Sequence, residues 1–213
     1  KACKTFIIIG SDHNKKAQSF STNLFSDWET PFGIFKINKE LGKQLLQQFP
    51  SLVNEFAPYQ EEHSIEVQLP FLQFVNMDYL PEITFVPLMI QSLDYTQLSA
   101  FAKVLANFQD VCVIISTNFT HYGKEFGFVP FVFSKKENIQ ELDAKALEAI
   151  KQLDSLALLH LSKSTNICNI PGLIVLLEYC KLKNKKGQLL SYYTSGDMLG
   201  YKDKSVSYVG MTF

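Results

Sequence analysis

Three of the four histidines, His13, His63 and His121, stand where an apolar stretch meets a polar, turn-forming one. His13 follows the apolar run 5–9 and His121 follows the apolar run 111–115. A catalytic metal centre commonly takes three protein ligands and keeps one position open for water or substrate. Together the three histidines therefore predict a site, although each alone could be a capping or hydrogen-bonding residue.

Acidic side chains and a thiol accompany these histidines. Asp12, Glu62 and Asp197 lie at the same polar ends, where carboxylates could orient imidazole rings through hydrogen bonds. Cys168 lies in a turn that leads into a predicted helix, a position that makes thiols more reactive. A half-buried structural cysteine is the alternative. His160 lies in an apolar helical stretch and is interpreted as a core or surface residue.

Parallel strands are the elements that would position these side chains. A short continuous run of Val and Ile predicts a strand buried on both faces, and we expect the run 111–116 to be interior to the sheet. A strand at 83–90, a helix at 95–107 and this strand predict parallel pairing with a right-handed crossover. Ligands bind beyond the carboxyl ends of such strands, so His13 and His121 are expected at one rim. The predicted fold is a single α/β domain with a largely parallel or mixed central sheet flanked by helices.

The remaining elements follow from periodicity and from capping or turn residues. The predicted helices cover residues 38–49, 61–72, 139–152, 155–162 and 172–182. Pro70 should bend the second of these helices or begin a new one. Residues 14–30 and 195–200 are predicted loops, and the last of these is flanked by strands at 189–194 and 205–211.

Composition excludes several classes of function. The 213 residues carry a formal charge of −1, and all 20 basic residues are lysines. The chain therefore lacks both a basic stripe for nucleic acid and the bidentate guanidinium group that grips phosphate. No apolar run approaches the ~20 residues needed to cross a bilayer. We expect neither a nucleic-acid partner nor a membrane partner.

The cysteines and the start of the chain carry two further expectations. The four cysteines show no C-x-x-C pairing, which predicts no structural disulfide and a reducing, cytoplasmic location. Because the chain opens almost at once on a strand of buried type, we expect a leading segment to be missing.

A series of segments, read in order, resembles the Memo-like family, called AmmeMemoRadiSam system protein B in prokaryotes. The segments include FIIIGSDH, EEHSIEVQLPFLQ, ISTNFTHYG, NICNIPG and SVSYVG, and the resemblance covers residues 1–213. It implies a fold similar to the catalytic subunit of class III extradiol dioxygenases, which bind non-haem iron through two histidines and a carboxylate. It also implies a metal-binding protein or a redox or signalling adaptor.

The resemblance also implies roles for individual residues. His13 matches a metal ligand, His121 matches a pocket acid/base, and His63 and Cys168 match positions that line the same pocket. The family's PHAGY-type histidine is absent upstream of Lys1, which weakens the ligand set. The family's strand-end Asp is Asn118 here, and Met198, beside Asp197, replaces a ligand cysteine.

These matches define the site that we expect. The metal ligands are His13, His63 and Asp197, the candidate acid/base is His121, and the pocket is lined by Asp12, Asn118, Cys168 and Met198. The ion is one divalent metal, iron, zinc or copper, or the pocket binds none.

Three functions are compatible with this site. The first is a Memo-like protein whose metal pocket takes a small molecule or a peptide. The second is a non-catalytic peptide- or protein-interaction module with a vestigial pocket. The third and weakest is a non-haem iron dioxygenase. The sequence leaves open whether the protein is an enzyme.

Overall fold

The structure, a computed structural model, describes residues 3–201 and 203–213. It is a single α/β domain with a mixed, mostly parallel central sheet flanked by helices, as the sequence predicts. Its contacts fall into two compact units, one ending at Ser116 and one beginning at Thr117.

The first unit contains the central sheet. Its strands are β1 (Thr5–Gly10), β2 (Phe20–Thr22), β3 (Trp28–Thr30), β4 (Gly33–Ile37), β5 (Leu52–Asn54), β6 (Thr84–Ile90) and β7 (Val111–Ile115). Its α-helices are α1 (Lys39–Gln48), α2 (Leu69–Val75) and α3 (Tyr95–Ala106). Short 3-10 helices cover Ala57–Tyr59, Glu66–Gln68 and Met77–Tyr79.

Strand β1 lies between β6 and β7 in the order β3-β4-β6-β1-β7, and β2 pairs with β5 and β6 off this path. Strand β1 pairs in parallel with both β6 and β7, so β6 and β7 run in the predicted parallel direction but are separated by β1. Ile7, Ile8 and Ile9 are completely buried, as the apolar run predicts. The prediction that the run 111–116 is an interior strand is wrong, because β7 ends the strand order and its residues are half-buried. A terminal strand of a two-sided α/β sheet can be as apolar as a central one.

Aromatic packing and helix capping stabilise this unit. The ring of Phe20 lies 4.8 Å from that of Phe49 and 5.4 Å from that of Phe101. These edge-to-face contacts join β2 to α1 and α3, and each such pair contributes about 1 kcal/mol beyond its buried area. Asn38 caps α1, as predicted, because its side-chain oxygen accepts a hydrogen bond from the Leu41 N–H at 3.0 Å.

The helix predicted over residues 61–72 begins later than expected. Residues 61–65 are irregular, and α2 begins at Leu69 with Pro70 in its first turn, where the missing N–H costs nothing. The carboxylate of Glu62 accepts a hydrogen bond from the Ser64 N–H at 2.8 Å. Such local side-chain bonds compete with helix formation, which a periodicity argument does not detect.

The second unit combines helices with a small antiparallel sheet. Its helices are α4 (Lys135–Lys151), α5 (Ser155–Leu161), α6 (Ile170–Leu182) and α7 (Ser195–Leu199), and a 3-10 helix covers Lys124–Phe126. Its strands are β8 (His121–Gly123), β9 (Gln188–Thr194) and β10 (Lys204–Thr212), in the order β8-β10-β9. Helix α6 is buried on most of its circumference.

Two predicted loops contain regular structure. Residues 14–30 include β2 and β3. Each is only three residues long, which is too short for an alternation of apolar and polar residues to be recognised. The segment 195–200 contains α7, because Thr194 and Asp197 form a reciprocal capping box.

All four cysteines are thiols. Within the described residues, no helix is long and apolar enough to span a membrane.

Gly10, at the end of β1, is closely packed against Ser64 and Ile65. A Cβ at this position would lie 2.5 Å from Ser64 Oγ and 2.6 Å from Ile65 Cγ1. We expect Gly10→Ala to lower the free energy of unfolding by about 1–3 kcal/mol, since overpacking displaces the 62–65 segment. Urea denaturation measures the loss.

Gly210→Ala is the matched control, because the nearest atoms to its added Cβ lie at 4.0 Å. Its effect should stay within about 1 kcal/mol. Equal effects of the two substitutions would contradict this packing.

Candidate functional site

His13 lies just past the carboxyl end of β1, at the rim where the sequence places it. The chain turns there, with the Lys15 N–H bonded to the Asp12 carbonyl at 3.3 Å. The buried hydroxyl of Ser64 donates to the Ser11 carbonyl at 3.0 Å and ties this turn to the 61–65 segment. Two stretches almost 50 residues apart in the chain thus meet at His13.

The carboxylate of Glu62 is the centre of this meeting point. Its side chain is fully buried. It accepts hydrogen bonds from the His13 backbone N–H at 2.7 Å, from His13 Nδ1 at 2.9 Å and from the Ser64 N–H at 2.8 Å. Burial acts to raise the pKa of Glu62, but these bonds outweigh it and lower the pKa to about 2. Glu62 is therefore a buried anion satisfied by donors from both stretches, and one of these donors is an imidazole ring, as predicted.

This contact determines the form of the His13 ring. An ionised carboxylate only accepts hydrogen bonds, so Nδ1 of His13 carries the proton. In the neutral imidazole, Nε2 then carries the lone pair that a metal ion requires. Carboxylate–histidine pairs of this kind orient histidine ligands in metal proteins.

His63 completes the group. Its ring is stacked on that of His13, with centroids 4.9 Å apart and planes at 12°. Its Nδ1 lies 3.7 Å from Glu62 Oε1. His13, Glu62 and His63 each offer a ligand atom within 4.8 Å of the others, so the group could hold a metal ion.

The donors fit a transition metal better than a hard cation. Two imidazoles and one carboxylate suit zinc, iron or copper, whereas calcium and magnesium prefer oxygen ligands. Glu62 is already satisfied by His13 and Ser64, which favours an orienting role over direct ligation. In such an arrangement the two imidazoles would supply the ligand atoms, and their stacked rings, 4.9 Å apart, would have to tilt to share one ion.

Asp12 forms hydrogen bonds with Ala17 and Gln91. Its Oδ2 accepts a hydrogen bond from the Ala17 N–H at 2.6 Å and another from the Gln91 side chain. Its buried Oδ1 has no hydrogen-bond partner among the residues that the structure describes. Asp12 thus holds the loop that carries His13.

In the second unit, His121 is held by Asn166, a residue that no motif singled out. The His121 N–H donates to Asn166 Oδ1 at 2.9 Å, and Asn166 Nδ2 donates to the His121 carbonyl at 2.6 Å. The His121 ring has its Nδ1 3.3 Å from the Asn166 carbonyl oxygen and packs edge-on against Phe126 at 5.3 Å. These two hydrogen bonds between the Asn166 side chain and the His121 backbone fix the backbone at His121.

Asn118 and Cys168 lie together, as expected. The Asn118 N–H donates to Cys168 Sγ at 3.1 Å, and the Thr117 hydroxyl lies 3.5 Å from the same sulfur. The Thr117 hydroxyl oxygen also accepts from the Asn169 N–H at 3.2 Å, where Asn169 caps α6. Cys168 therefore stands directly before a helix N-terminus, as its turn sequence predicts.

Asp197 is engaged by neighbours within its own unit. Its Oδ2 accepts from the backbone N–H and the hydroxyl of Thr194 at 3.1 and 2.9 Å, and its Oδ1 lies 3.0 Å from Lys136 Nζ. The bond from Lys136 is the main reason that the pKa of Asp197 falls to about 2. Metal ligation would compete with these contacts. Met198, beside it, is strongly exposed.

A second buried carboxylate, Asp143 on α4, was not anticipated from the sequence. It accepts hydrogen bonds from the Thr120 N–H at 3.1 Å, from the Thr120 hydroxyl at 2.8 Å and from the Tyr192 hydroxyl at 2.8 Å. Burial, followed by the charge of Asp143, raises the pKa of Tyr192. An acidic residue on an amphipathic helix gives no sequence signal that it faces inwards.

The second unit also contains a half-open cleft of about 950 Å³. The side chains around it combine apolar and aromatic groups with lysines, and they include Tyr122, Phe126, Val132, Lys135, Leu199 and Tyr208. Its size is within the range of small-molecule sites. The ring of Phe126, one of these lining residues, packs edge-on against the ring of His121.

Comparison with known proteins identifies the family. The family model described as Memo-like protein matches residues 1–212 of the chain. The chain belongs to the Memo-like family. Among relatives, it is 31% identical over 216 residues to a MEMO1 family protein of Desulfurococcus amylolyticus, covering 98% of this chain and 71% of the relative.

Two further relatives agree with this assignment. A MEMO1 family protein of Saccharolobus solfataricus is 32% identical over 213 residues, covering 97% of this chain and 71% of the relative. One of Pyrococcus abyssi is 30% identical over 219 residues, covering 98% and 75%. The resemblance to the Memo-like family is confirmed, whereas the dioxygenase-like fold that it implied stays a prediction.

The structure thus brings some of the predicted site residues together. His13 and His63 meet around Glu62 in the first unit. Asn118 and Cys168 meet in the second. One pocket shared by all of these residues, with His121 as acid/base and Asp197 as a ligand, stays a prediction.

The lowered pKa of Glu62 predicts a loss of stability in acid. The folded carboxylate keeps its charge to lower pH than the unfolded one, so its stabilisation is complete above about pH 4.5 and is lost as the pH falls towards 2. The full shift corresponds to roughly 3 kcal/mol. Screening by water beside the exposed histidines reduces the expectation to about 1–2 kcal/mol.

Urea unfolding of the wild type and Glu62→Gln between pH 7 and about pH 3 measures this contribution. The wild type should be more stable at pH 7, and the difference should shrink in acid. A difference that does not change with pH would contradict the assignment of a charged, hydrogen-bonded Glu62.

Proposed function

We propose that this Memo-family protein binds one divalent transition metal ion, zinc, iron or copper, through the imidazoles of His13 and His63. Glu62 acts as the carboxylate that orients His13. The observation that carries the proposal is the buried Glu62 side chain, which accepts bonds from both the backbone and the ring of His13. A buried anion that presets one histidine tautomer is a typical feature of metal sites.

The exposure of the two rings supports the same proposal. The His13 side chain is 39% exposed and that of His63 is 67% exposed, so an ion reaches them from solvent. Two protein ligands leave coordination positions for water or for a small molecule or peptide. When bound, the metal would act as a Lewis acid towards such a molecule.

The remaining proposed roles rest on the resemblance to the Memo-like family. His121, held at its backbone by Asn166, is the proposed acid/base, with Asn118, Cys168 and Met198 as pocket residues. The function is that of a Memo-like protein located in the cytoplasm, and its reaction is undefined. The alternative, a non-catalytic interaction module, is favoured by the exposed apolar side chains of α2.

Metal loading of purified protein tests the proposal. After chelator treatment and dialysis, the protein is titrated with Zn(II), Cu(II) or, without oxygen, Fe(II), and bound metal is measured by elemental analysis and calorimetry. We expect about one ion per chain. His13→Ala should abolish stoichiometric binding, and Glu62→Gln should weaken it about 10–100-fold.

His160→Ala is the matched control, because His160 is an exposed histidine on α5, away from the His13 group in the chain. It should leave the stoichiometry unchanged. Equal binding by the wild type and His13→Ala would refute the site. Failure of all three metals to bind would favour the interaction module.

A further inference from the structure

Helix α2 and the 3-10 turn before it carry apolar side chains on two opposite sides. Ile65 and Leu69 are completely buried in the first unit. Val67, Phe71, Phe74 and Val75, in contrast, are 47%, 72%, 61% and 71% exposed. A helix that is apolar all round is normally buried on all sides, so its exposed side is expected to be covered in solution.

The exposed side chains are arranged in a single stripe. Phe71, Phe74 and Val75 stand at positions i, i+3 and i+4 of α2, which is the spacing of one helix face, and Val67 lies in the 3-10 turn that leads into it. No charged residue occurs from Val67 to Met77. The face therefore offers packing surface and no charge with which to select or repel a partner.

Phe32 extends this stripe from the turn between β3 and β4. Its ring lies 6.2 Å from that of Phe74. The buried Gln73 side chain donates to the Gly33 carbonyl at 3.4 Å and is bonded to the Thr30 hydroxyl, so the turn is fixed to the helix. The α2 patch, defined as Phe32, Val67, Phe71, Phe74 and Val75, is thus held on regular elements.

The size of the α2 patch indicates what could cover it. From their exposed fractions, these five residues offer on the order of 600 Å² of surface. That is the upper end of apolar patches on monomeric proteins. Two such patches packed together would bury about 1,200 Å², the lower limit of specific protein interfaces.

We infer that the α2 patch is the interface through which two copies of this chain associate. An interface about a two-fold axis must be self-complementary, and an uncharged helix stripe meets this condition because like residues pack on like. A charged partner would find no complementary group between Val67 and Met77. An interface of this size lies well below the roughly 2,000 Å² and more of obligate dimers, so we expect a dimer that dissociates on dilution.

Sedimentation velocity over a concentration series tests the inference on the full chain. The wild type should shift from monomer to dimer between low micromolar and several hundred micromolar protein. Phe71→Lys and Phe74→Lys place a charge in the stripe and should each weaken association at least tenfold. Because both side chains are exposed, these variants should keep the wild-type circular dichroism spectrum.

Val132→Lys is the matched control, since Val132 is also an exposed apolar residue, 63% exposed, but lies in the second unit. It should dimerise as the wild type does. A chain that stays monomeric throughout, or a dimer unaffected by Phe71→Lys, would overturn the inference. A protein that stays monomeric but binds phosphatidylcholine vesicles, with binding lost in the Phe71→Lys variant, would assign the patch to a lipid surface. That result would also overturn the inference of a dimer.

Discussion

The carboxylate of Glu62 places a negative charge inside the first unit, and hydrogen-bond donors around it stabilise that charge. Burying an ionised carboxylate is costly unless donors surround it. The donors here are the backbone of His13, the ring of His13 and the backbone of Ser64. Because these groups come from two distant stretches, the same interaction that satisfies the charge also joins the end of β1 to the 61–65 segment. The fold and the candidate metal centre thus share one contact.

This dependence explains the irregular backbone beside the site. The Ser64 N–H is bonded to the Glu62 side chain, which is part of why a regular helix starts only near Pro70. The close approach of Gly10 to Ser64 and Ile65 leaves no room for a side chain at the end of β1. The site is therefore built from a strand end and an irregular segment that are joined by hydrogen bonds and close packing.

Much of this arrangement could be predicted from the sequence, and the rest could not, for physical reasons. The apolar run of β1, the cap at Asn38 and the acidic residue beside His63 are local signals, and each was predictive. The edge position of β7 depends on strand order, which an apolar run does not encode. Asn166 and Asp143 act through contacts 45 and 23 residues away in the chain, so no local pattern marks them. Asp197 was singled out for its carboxylate, but its observed partners, Thr194 and Lys136, arise from a capping box and an ion pair.

In the proposed metal centre, Glu62 fixes the proton of His13 on Nδ1 and so presents Nε2 to a metal ion. Nitrogen-15 NMR of the imidazole rings, recorded at pH 7.5 before and after one equivalent of Zn(II), tests it most directly. We expect His13 to carry its proton on Nδ1 before zinc is added, and its Nε2 resonance to shift on binding together with one from His63. Glu62→Gln should lose the tautomer preference. A His13 ring protonated on Nε2 in the wild type, or zinc shifts that leave His13 unchanged, would contradict it.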